Sequence, residues 1–536
     1  MWKPLATCFL GAAALSACTA APPPEPTLQP VLTAAAFEHH VSHFNEMIDE
    51  GVVNHVPDAE AWPWLKANIP LFEAPDADFQ EIYYYRWWTL RKHLKQTPDG
   101  FVFTEFIRPV GHATEHNTVS CALGHHINEG RWLRDSRYVD DYIRFWLTSG
   151  EGGTLQPDLH KYSGWVADAV YARWLVNRDT PFVVALLDAL VADYRAWEAE
   201  HQLPSGLFWQ HDVWDGMEES VSGGRHTRNV RPTINSYMYG NARAIARIAR
   251  VAGRDELAVE FDERADTLKR LIQDRLWDRE AAFFKPRLEK NGELADVREQ
   301  IGFVPWYFGL PDPGYEAAWA QLMDPEGFHA PYGPTTAEQR HPGFQLAREG
   351  DDCQWNGPSW PFSTTTTLKA AARLLNDYDQ RVVSKADYFD ALRIYVGSHR
   401  LRLEDGRVIP WIDENLDPYT GEWLARQVKI DKGRFDGRGD HYNHSGFADL
   451  VITGLVGLRP RPDDVVEVNP LLPPGTWEWF ALDGVHYAGR VLTILWDRTG
   501  ERYGRGEGLR VFADGQEIAA SGTLARVTGR LPPNPH

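Results

Sequence analysis

Residues 234–277 read INSYMYGNARAIARIARVAGRDELAVEFDERADTLKRLIQDRLW, and they carry the clearest structural signal in the chain. Between residues 245 and 252, apolar side chains repeat at the spacing of one helix face, and arginines occupy the opposite face. Gly253 interrupts this pattern, and apolar residues then recur at helical spacing over 257–276. The stretch therefore predicts two antiparallel helices joined by a tight turn.

The pattern of paired helices extends over most of the chain, from about residue 78 to residue 458. It recurs in three further places: 164–178 with 183–200, 364–376 with 385–399, and 445–457. These helices show no self-similar repeat at a fixed period, which argues against a regular solenoid. We therefore predict a mainly α fold, an (α/α)6 toroid of helical hairpins.

The composition changes after Leu458, where the turn-rich residues RPRPDD begin. Four segments with alternating or β-branched residues follow, at 465–468, 477–482, 490–496 and 508–513. The dipeptide Asp483-Gly484 predicts a hairpin turn between two of them. Together these features predict a small β-sandwich-like domain at the C-terminus that packs against the toroid.

We divide the sequence into four regions. These are a lipoprotein signal peptide at 1–18, a Pro-rich tether at 19–35, an (α/α)6-barrel domain with an N-terminal helical lead-in at 36–459, and the β-domain at 460–536. The first region reads MWKPLATCFLGAAALSAC, and its apolar run is too short to span a bilayer. Its last four residues resemble a bacterial lipobox, in which Cys18 becomes lipidated.

A lipidated Cys18 predicts an exported bacterial lipoprotein in the periplasm or outer membrane, attached to the membrane through the lipid anchor alone. A Pro-rich tether behind it suits a spacer that lifts a domain off a membrane. A plain secretory signal with a chance cysteine is the alternative interpretation.

The composition restricts the ligands that the chain can bind. With 75 Asp and Glu against 55 Lys and Arg, the formal net charge is −20, which argues against a nucleic-acid partner. The 22 tryptophans exceed what a core needs, and flat indole faces suit stacking on sugar rings, so we expect an oligosaccharide or polysaccharide fragment as the ligand.

The cysteines show no zinc-site spacing, so we expect no metal and no cofactor; Cys121 and Cys353 either pair or remain thiols. Nothing in the composition specifies an oligomeric state.

Three loops between the helices are rich in carboxylates and tryptophan. They read WQHDVWDGMEESVSGG at 209–224, DDCQWNGPSWPFST at 351–364, and WIDENLDPYTGEW at 411–423. Hydrolysis of a glycosidic bond needs one protonated carboxyl group and one ionised carboxylate. Glu218 and Glu414 are the candidates, because each lies in an aromatic loop whose apolar walls raise the pKa of an acid.

In this order, the three loops resemble those of the (α/α)6-barrel glycoside hydrolases of the trehalase, processing α-glucosidase I and mannosylglycerate hydrolase type, the six-hairpin glycosidases. GMEES at 216–220 is similar to their acid loop and places Glu218 at the acid position. WNGPSWP at 355–361 is similar to their sugar-site motif, and ENLDPYTG at 414–421 to their base segment, with Glu414 as the base. The resemblance covers about residues 80–460.

The resemblance implies an exo-acting, inverting glycosidase that cleaves an α-linked bond without a cofactor. Glu218 replaces the Asp of the family, so Asp215 and Glu219 stay open as alternative acids. Asn356 replaces the usual Arg of the sugar-site motif, which implies a different sugar or ring substituent. The candidate substrate-binding residues are Trp355, Asn356, Gly357, Trp360, Trp411, Asp215, Arg231, Asn235, Tyr239, Trp88 and Glu105.

Two other functions remain open at this level. His112, His116 and His125 lie close in sequence, near Asn117 and His126, and toroidal polysaccharide lyases abstract a proton with such groups. The purely structural interpretation is that residues 124–127 cap a helix and form hydrogen bonds with the backbone. A non-catalytic surface glycan-binding lipoprotein would keep the aromatic platforms, but it has no need of an acid and a base.

Overall fold

The computed structural model describes Met1 and residues 30–346 and 353–533. The predicted signal peptide, its lipidation site Cys18 and most of the tether lie outside the described residues. None of the helices in these ranges combines the length and apolar character that a bilayer crossing needs.

The described chain is mainly helical. Its α-helices are α1 Glu38–Met47, α2 Ala61–Asn68, α3 Ala77–His93, α4 Leu123–Gly130, α5 Arg137–Thr148, α6 Val166–Asn177, α7 Thr180–Ala185, α8 Leu187–His201, α9 Pro232–Val251, α10 Asp255–Arg275, α11 Val304–Tyr307, α12 Pro361–Asp377, α13 Lys385–Ser398, α14 Leu424–Asp431 and α15 Phe447–Leu450. A π-helical turn, Val451–Leu455, continues α15.

Six of these helices form a closed inner ring. Each contacts the next in the order α4, α6, α9, α11, α12 and α15, and α15 returns to contact α4. Helices α5, α8, α10 and α13 pack behind this ring, and the short 3-10 turn Glu316–Gln321 precedes α12. The predicted toroid of helical hairpins is confirmed.

The hairpin of α9 and α10 follows from the sequence pattern described above. Ile245, Ile248 and Ala249 are fully buried, and Gly253 makes the turn with a φ of +69° that few other residues adopt. In the α12–α13 pair, Ser384 and Asp387 form a capping box that fixes the start of the second helix. Local signals of this kind set the helix boundaries.

Most of helix α3 is buried, because helices α1 and α2 cover the side that would otherwise face solvent. Every side chain from Ile82 to His93 is buried. The buried cations are paired: Arg86 with Glu129, and both Arg91 and Lys92 with Asp58. Such pairing is what makes a buried charge tolerable.

The strands form two main sheets and four short ribbons. They are β1 Leu71–Glu73, β2 Leu94–Thr97, β3 Gly100–Phe103, β4 Gln210–His211, β5 Arg228–Asn229, β6 Trp277–Asp278, β7 Phe283–Phe284, β8 Arg400–Arg402, β9 Val408–Pro410, β10 Leu458–Arg459, β11 Val465–Val468, β12 Trp479–Tyr487, β13 Arg490–Asp497, β14 Gly508–Ala513, β15 Gln516–Ser521 and β16 Val527–Arg530. One sheet has the order β1-β12-β13-β14-β15, and the other has the order β10-β11-β16.

Two details of the β region differ from the sequence-based expectation. Strand β1 comes from the N-terminal part of the chain and pairs antiparallel with β12, with Leu71 opposite Asp483. The predicted turn at Asp483-Gly484 is wrong: both residues lie inside β12, where the register shifts by a bulge. The hairpin turns instead at Ala488 and Gly489, whose φ values of +49° and +76° supply the required left-handed conformation.

Candidate active site

A cavity of about 270 Å³ lies at the end of the inner ring where the helices begin. Its lining residues come from the segments that precede α4, α6, α9, α12, α14 and α15 and from the first turn of α12. They are Glu105, Phe106, His112, Val119, Cys121, Tyr162, Val213, Gly216, Glu218, Arg225, Cys353, Trp355, Trp360, Phe362, Glu414, Arg438, Tyr442 and His444.

Backbone hydrogen bonds connect the three motif loops to one another. The Trp355 N–H donates to the Glu219 carbonyl at 3.1 Å, which joins the second loop to the first. Ser359 and Leu416 exchange two N–H···O bonds of 3.0 Å, which join the second loop to the third. These bonds bring Glu218 and Glu414, 196 positions apart in sequence, to one cavity.

Glu414 is held as a buried ion pair. Its side chain is buried, and its Oε1 contacts the Lys429 ammonium group. The Arg438 Nε lies 3.9 Å from the same oxygen, and the Cys353 thiol lies 3.8 Å from Oε2. Burial raises the pKa of Glu414, and the positive charge of Lys429 opposes that rise. The lysine therefore favours the ionised form that a base needs.

The loop before α9 presents Glu218 to the cavity and leaves Asp215 and Glu219 out of its lining. Asp215 is buried, and its Oδ2 accepts a bond of 2.7 Å from Arg231 Nε. Glu219 instead pairs with Arg225 at 3.3 Å. Among the three acids that the sequence left open here, Glu218 is therefore the one in position to reach a substrate.

Arg231 anchors this loop. Its guanidinium binds Asp212 and Asp215, at 2.7 Å each, and it is fully buried between them. Asp212 in turn accepts from the Ser220 hydroxyl at 2.6 Å and from the Gly224 N–H at 2.7 Å. The loop that carries Glu218 is thus closed on itself around one arginine.

Glu105 is a third carboxyl group in the cavity. Its Oε1 accepts a hydrogen bond from the Tyr442 hydroxyl, and its carbonyl accepts from the Asn443 N–H at 3.0 Å. Burial raises the pKa of Glu105 to about 8, the Tyr442 hydrogen bond opposes that rise, and the charge of Glu414 adds to it. Glu105 is therefore protonated at neutral pH.

Two tryptophans form an aromatic wall of the cavity. Trp355 and Trp360 stack face to face, with centroids 4.3 Å apart and planes 11° apart. The Trp360 Nε1 donates to the Gln354 carbonyl at 2.6 Å, and its ring meets the edge of His444 at 5.8 Å. These contacts fix both indoles next to the carboxyl groups.

Most of the other predicted substrate-binding side chains lie outside the cavity lining, because each has a structural partner. The Trp88 Nε1 donates to Asn45 Oδ1 at 2.8 Å. Trp411 is buried against His441 at a centroid distance of 4.4 Å. The Asn235 side chain accepts a hydrogen bond from the Phe208 N–H and donates one to the Phe208 carbonyl, at 2.8 Å each. Sequence could not separate such roles from sugar binding.

The remaining predicted contacts are likewise outside the lining. Arg231 and Asp215 form the loop anchor described above, and Tyr239 is buried within α9. Gly357 approaches the Gln345 carbonyl so closely that an added Cβ would lie 2.1 Å from its oxygen. Asn356, next to it, accepts from the Gln345 N–H through its backbone carbonyl at 2.9 Å. Both residues shape the motif loop.

The structure separates the histidines that suggested a lyase. His112 lines the cavity, and burial, together with the positive charge of Arg438, lowers its pKa to about 4. His125 packs edge-on against Trp165 and Phe362 inside the barrel. His116 lies at the surface, where its Nε2 contacts Asp99 Oδ2 at 2.9 Å. Only one of the three therefore faces the site.

Several cavity residues gave no recognisable sequence signal. Tyr442 and His444 precede α15 and pack against each other with ring centroids 3.7 Å apart and planes tilted by 45°, yet no spacing links them to Glu105. Cys121 and Cys353 both line the cavity and, within the described ranges, are not joined by a disulfide. The other metal-ligand types that gather in the described ranges, Asp99, Glu115 and His116, lie outside this cavity, with Asp99 and Glu115 exposed.

An (α/α)6 barrel with carboxyl groups and stacked tryptophans in one cavity has the architecture of the six-hairpin glycosidases. Residues 115–445 match the model of the mannosylglycerate hydrolase MGH1-like glycoside hydrolase domain, and residues 458–520 match that of the glycosyl hydrolase family 65 C-terminal domain. The chain therefore belongs to the MGH1-like glycoside hydrolases.

Solved structures agree with this fold. A protein titled "Sialidase" is 47% identical and superposes with a TM-score of 0.88 over 93% of this chain and 45% of its own. This chain thus spans less than half the length of that protein. A GH78 family rhamnosidase of Bacillus sp. GL1 is 14% identical, with a TM-score of 0.55 over 83% of this chain and 41% of its own.

Proposed function

We propose that this glycoside hydrolase removes an α-linked sugar from the end of an oligosaccharide by inversion at the anomeric carbon. Glu218 protonates the leaving oxygen, and Glu414 activates a water molecule on the opposite face of the ring. The observation that carries the proposal is the shared cavity, in which both carboxyl groups lie beside the stacked Trp355 and Trp360.

The surroundings of the two carboxyl groups suit two different roles. Lys429 holds a positive charge against Glu414, which favours the carboxylate that activates water. Glu218 lines the same cavity from the loop before α9, and from there it supplies the proton. Inversion needs carboxyl groups roughly 6.5–9.5 Å apart, with room for the water between them.

The size of the cavity supports an exo mode of action. Pockets that enclose drug-sized ligands measure about 300–1,000 Å³. A volume of about 270 Å³ suits one sugar ring at the end of a chain. Tyr442 and Glu105 would supply hydrogen-bonding groups to the hydroxyls of that ring, since both line the cavity.

The test begins with a panel of α- and β-linked aryl glycosides and oligosaccharides. On the best substrate, we expect Glu218→Gln and Glu414→Gln each to lower kcat by about 10²–10⁴-fold, the usual contribution of a general acid or base. Glu219→Gln is the matched control, because Glu219 is the neighbouring acid outside the cavity lining, and we expect it to retain activity. NMR of the first-formed anomer reports the stereochemistry.

Each outcome bears on one part of the proposal. If Glu219→Gln loses activity and Glu218→Gln keeps it, the acid assignment is wrong. A first-formed product of retained configuration would contradict inversion. Turnover that survives Glu414→Gln, with unsaturated products absorbing in the ultraviolet, would instead support the lyase alternative.

The sugar itself has two candidate classes. The resemblance implies an α-glycoside, and Arg225 and Arg438 line this cavity, where guanidinium groups bind carboxylates well. The most similar protein reported above also carries the name of an enzyme for acidic sugars. The panel therefore includes neutral α-glycosides together with α-linked uronic and sialic acid glycosides.

We also propose that the chain is an exported lipoprotein with lipid on Cys18. The support is the lipobox-like ending LSAC at 15–18 and the Pro-rich residues behind it. Expression with labelled palmitate should label the wild-type chain, and Cys18→Ser should abolish both the label and the partition into detergent. A labelled Cys18→Ser protein would contradict the anchor.

A further inference from the structure

Trp214 is the tryptophan of the described ranges with the greatest exposure. Its side chain is 39% exposed, whereas the other tryptophans there are buried or partly buried. An exposed indole loses the stabilisation that burial gives to a large aromatic side chain. Its position relative to the active site therefore needs an explanation.

The exposure of Trp214 does not come from a loose loop. Trp214 lies in the 3-10 turn Asp212–Asp215, both ends of which bind the buried guanidinium of Arg231. Its carbonyl accepts from the Ser163 N–H at 2.9 Å, and its ring meets the edge of His211 at 5.0 Å. The backbone is thus anchored and the indole is held by His211, while part of its surface stays open to solvent.

Trp214 lies next in sequence to residues that line the cavity. Val213 and Gly216, on either side of Trp214 in sequence, both line the cavity, and so does Tyr162, which precedes Ser163. The Arg225 carbonyl accepts from the Val213 N–H at 3.1 Å, and the Arg225 side chain is 38% exposed. This backbone bond brings the turn that carries the exposed indole next to Arg225, whose side chain lines the cavity.

The loop that carries Trp214 also carries the proposed acid. The position of the acid therefore indicates which part of a substrate contacts this loop. Glu218 lies four residues after Trp214 in the same loop. A general acid lies beside the bond that it protonates, on the side of the leaving group. Because the cavity suits one ring, further rings of an oligosaccharide have to extend past this loop.

We propose that Trp214 and Arg225 form a subsite for the leaving-group portion of the substrate, in which a pyranose ring stacks on the indole and its hydroxyls bind the guanidinium. This inference rests on the proposed function. It identifies the substrate class as an oligosaccharide, in contrast to a glycoside with a small leaving group. The subsite adds binding energy that a short substrate does not use.

The experiment compares two substrates that share one non-reducing sugar: the glycosyl fluoride, which has no leaving sugar, and the trisaccharide selected from the panel. In Trp214→Ala, we expect the ratio of kcat/KM for the trisaccharide to kcat/KM for the fluoride to fall by about tenfold, mainly through KM. Trp214→Phe should restore most of the ratio. Trp479→Ala, which truncates a partly exposed tryptophan of the C-terminal sheet, should leave the ratio unchanged.

The outcomes separate this inference from the proposed function. If Trp214→Ala lowers both rates equally, or neither, the subsite is overturned while the catalytic proposal stands. If the wild-type enzyme hydrolyses neither substrate, the proposed function fails first. A second measurement is calorimetric titration of the trisaccharide into the Glu218→Gln variant. Adding Trp214→Ala to that variant should weaken binding by about tenfold.

Discussion

Glu105, Glu218 and Glu414 share one cavity, but their surroundings differ. Glu414 contacts a lysine, whereas Glu105 is buried against a tyrosine hydroxyl and forms no ion pair with the residues that the structure describes. Environment, rather than residue type, thus distinguishes the two groups: the Lys429 charge opposes the rise that burial gives to the pKa of Glu414, whereas the pKa of Glu105 rises to about 8. A neutral Glu105 avoids a second negative charge beside Glu414.

This difference predicts a pH dependence. Since the pKa of Glu105 is raised to about 8, its proton leaves above that pH, and the new charge next to Glu414 should lower kcat/KM. We expect an alkaline decline centred near pH 8 in the wild type. In Glu105→Gln the decline should disappear, because the amide stays neutral. A decline that persists unchanged in this variant would assign the titration to another group.

The same pKa predicts a stability effect of defined sign. The folded state keeps the Glu105 proton up to about pH 8, whereas the unfolded state releases it near its ordinary value of 4.5. The stabilisation is therefore full below pH 4.5 and is lost as pH rises toward 8. Thermal melts should show the Tm of wild type falling relative to that of Glu105→Gln over this window. A Tm difference that is constant with pH would contradict the raised pKa.

At the scale of elements, the site depends on loops that are closed by specific interactions. Gly253, Ser384 and Asp387 act within a few residues of their own helices, so their effects are readable from the sequence. Arg231 acts differently, because it joins Asp212 and Asp215, 19 and 16 positions earlier. Its sequence neighbours contain no trace of this role, and the sequence predicts a sugar ligand at this position.

The anchoring role of Arg231 predicts a large loss in stability. Arg231→Met leaves two buried carboxylates without their cation, and breaking a buried pair in this way costs about 3–5 kcal/mol. Urea denaturation should measure that loss, and kcat should fall because the loop carries Glu218. Arg243→Met is the matched control on α9: its pair with Asp262 is partly exposed, so the loss should stay below about 1 kcal/mol. Equal losses in the two variants would refute the anchor.

At the scale of the whole molecule, the barrel and the C-terminal sheets are joined by contacts distant in sequence. Strand β1, at Leu71–Glu73, forms one edge of the five-stranded sheet. The Leu32 N–H donates to Asp483 Oδ2 at 2.9 Å, and the Lys385 ammonium donates to the Pro470 carbonyl at 2.6 Å. The boundary drawn at residue 460 thus separates segments that share a sheet.

These contacts predict that the barrel does not fold well alone. A chain of residues 30–457 lacks the partner of β1 and exposes the buried face beneath the sheets, so we expect a low soluble yield and a lowered Tm. A chain of residues 30–531 keeps every strand and serves as the control. A soluble 30–457 fragment that melts at the same temperature as the control would show two independent folding units.

The sequence by itself determined the helical hairpins, most of the C-terminal strands and the three loops that carry Glu218, Trp355 and Glu414, because periodicity, turn residues and short motifs act over a few residues. Only the tertiary structure decided which side chains reach the cavity. Trp411 packs against the ring of His441, whereas Glu105 accepts a hydrogen bond from Tyr442, 337 positions away in sequence. Burial and charge pairing depend on neighbours that are brought close only when the ring of helices closes, so they leave no local pattern to read.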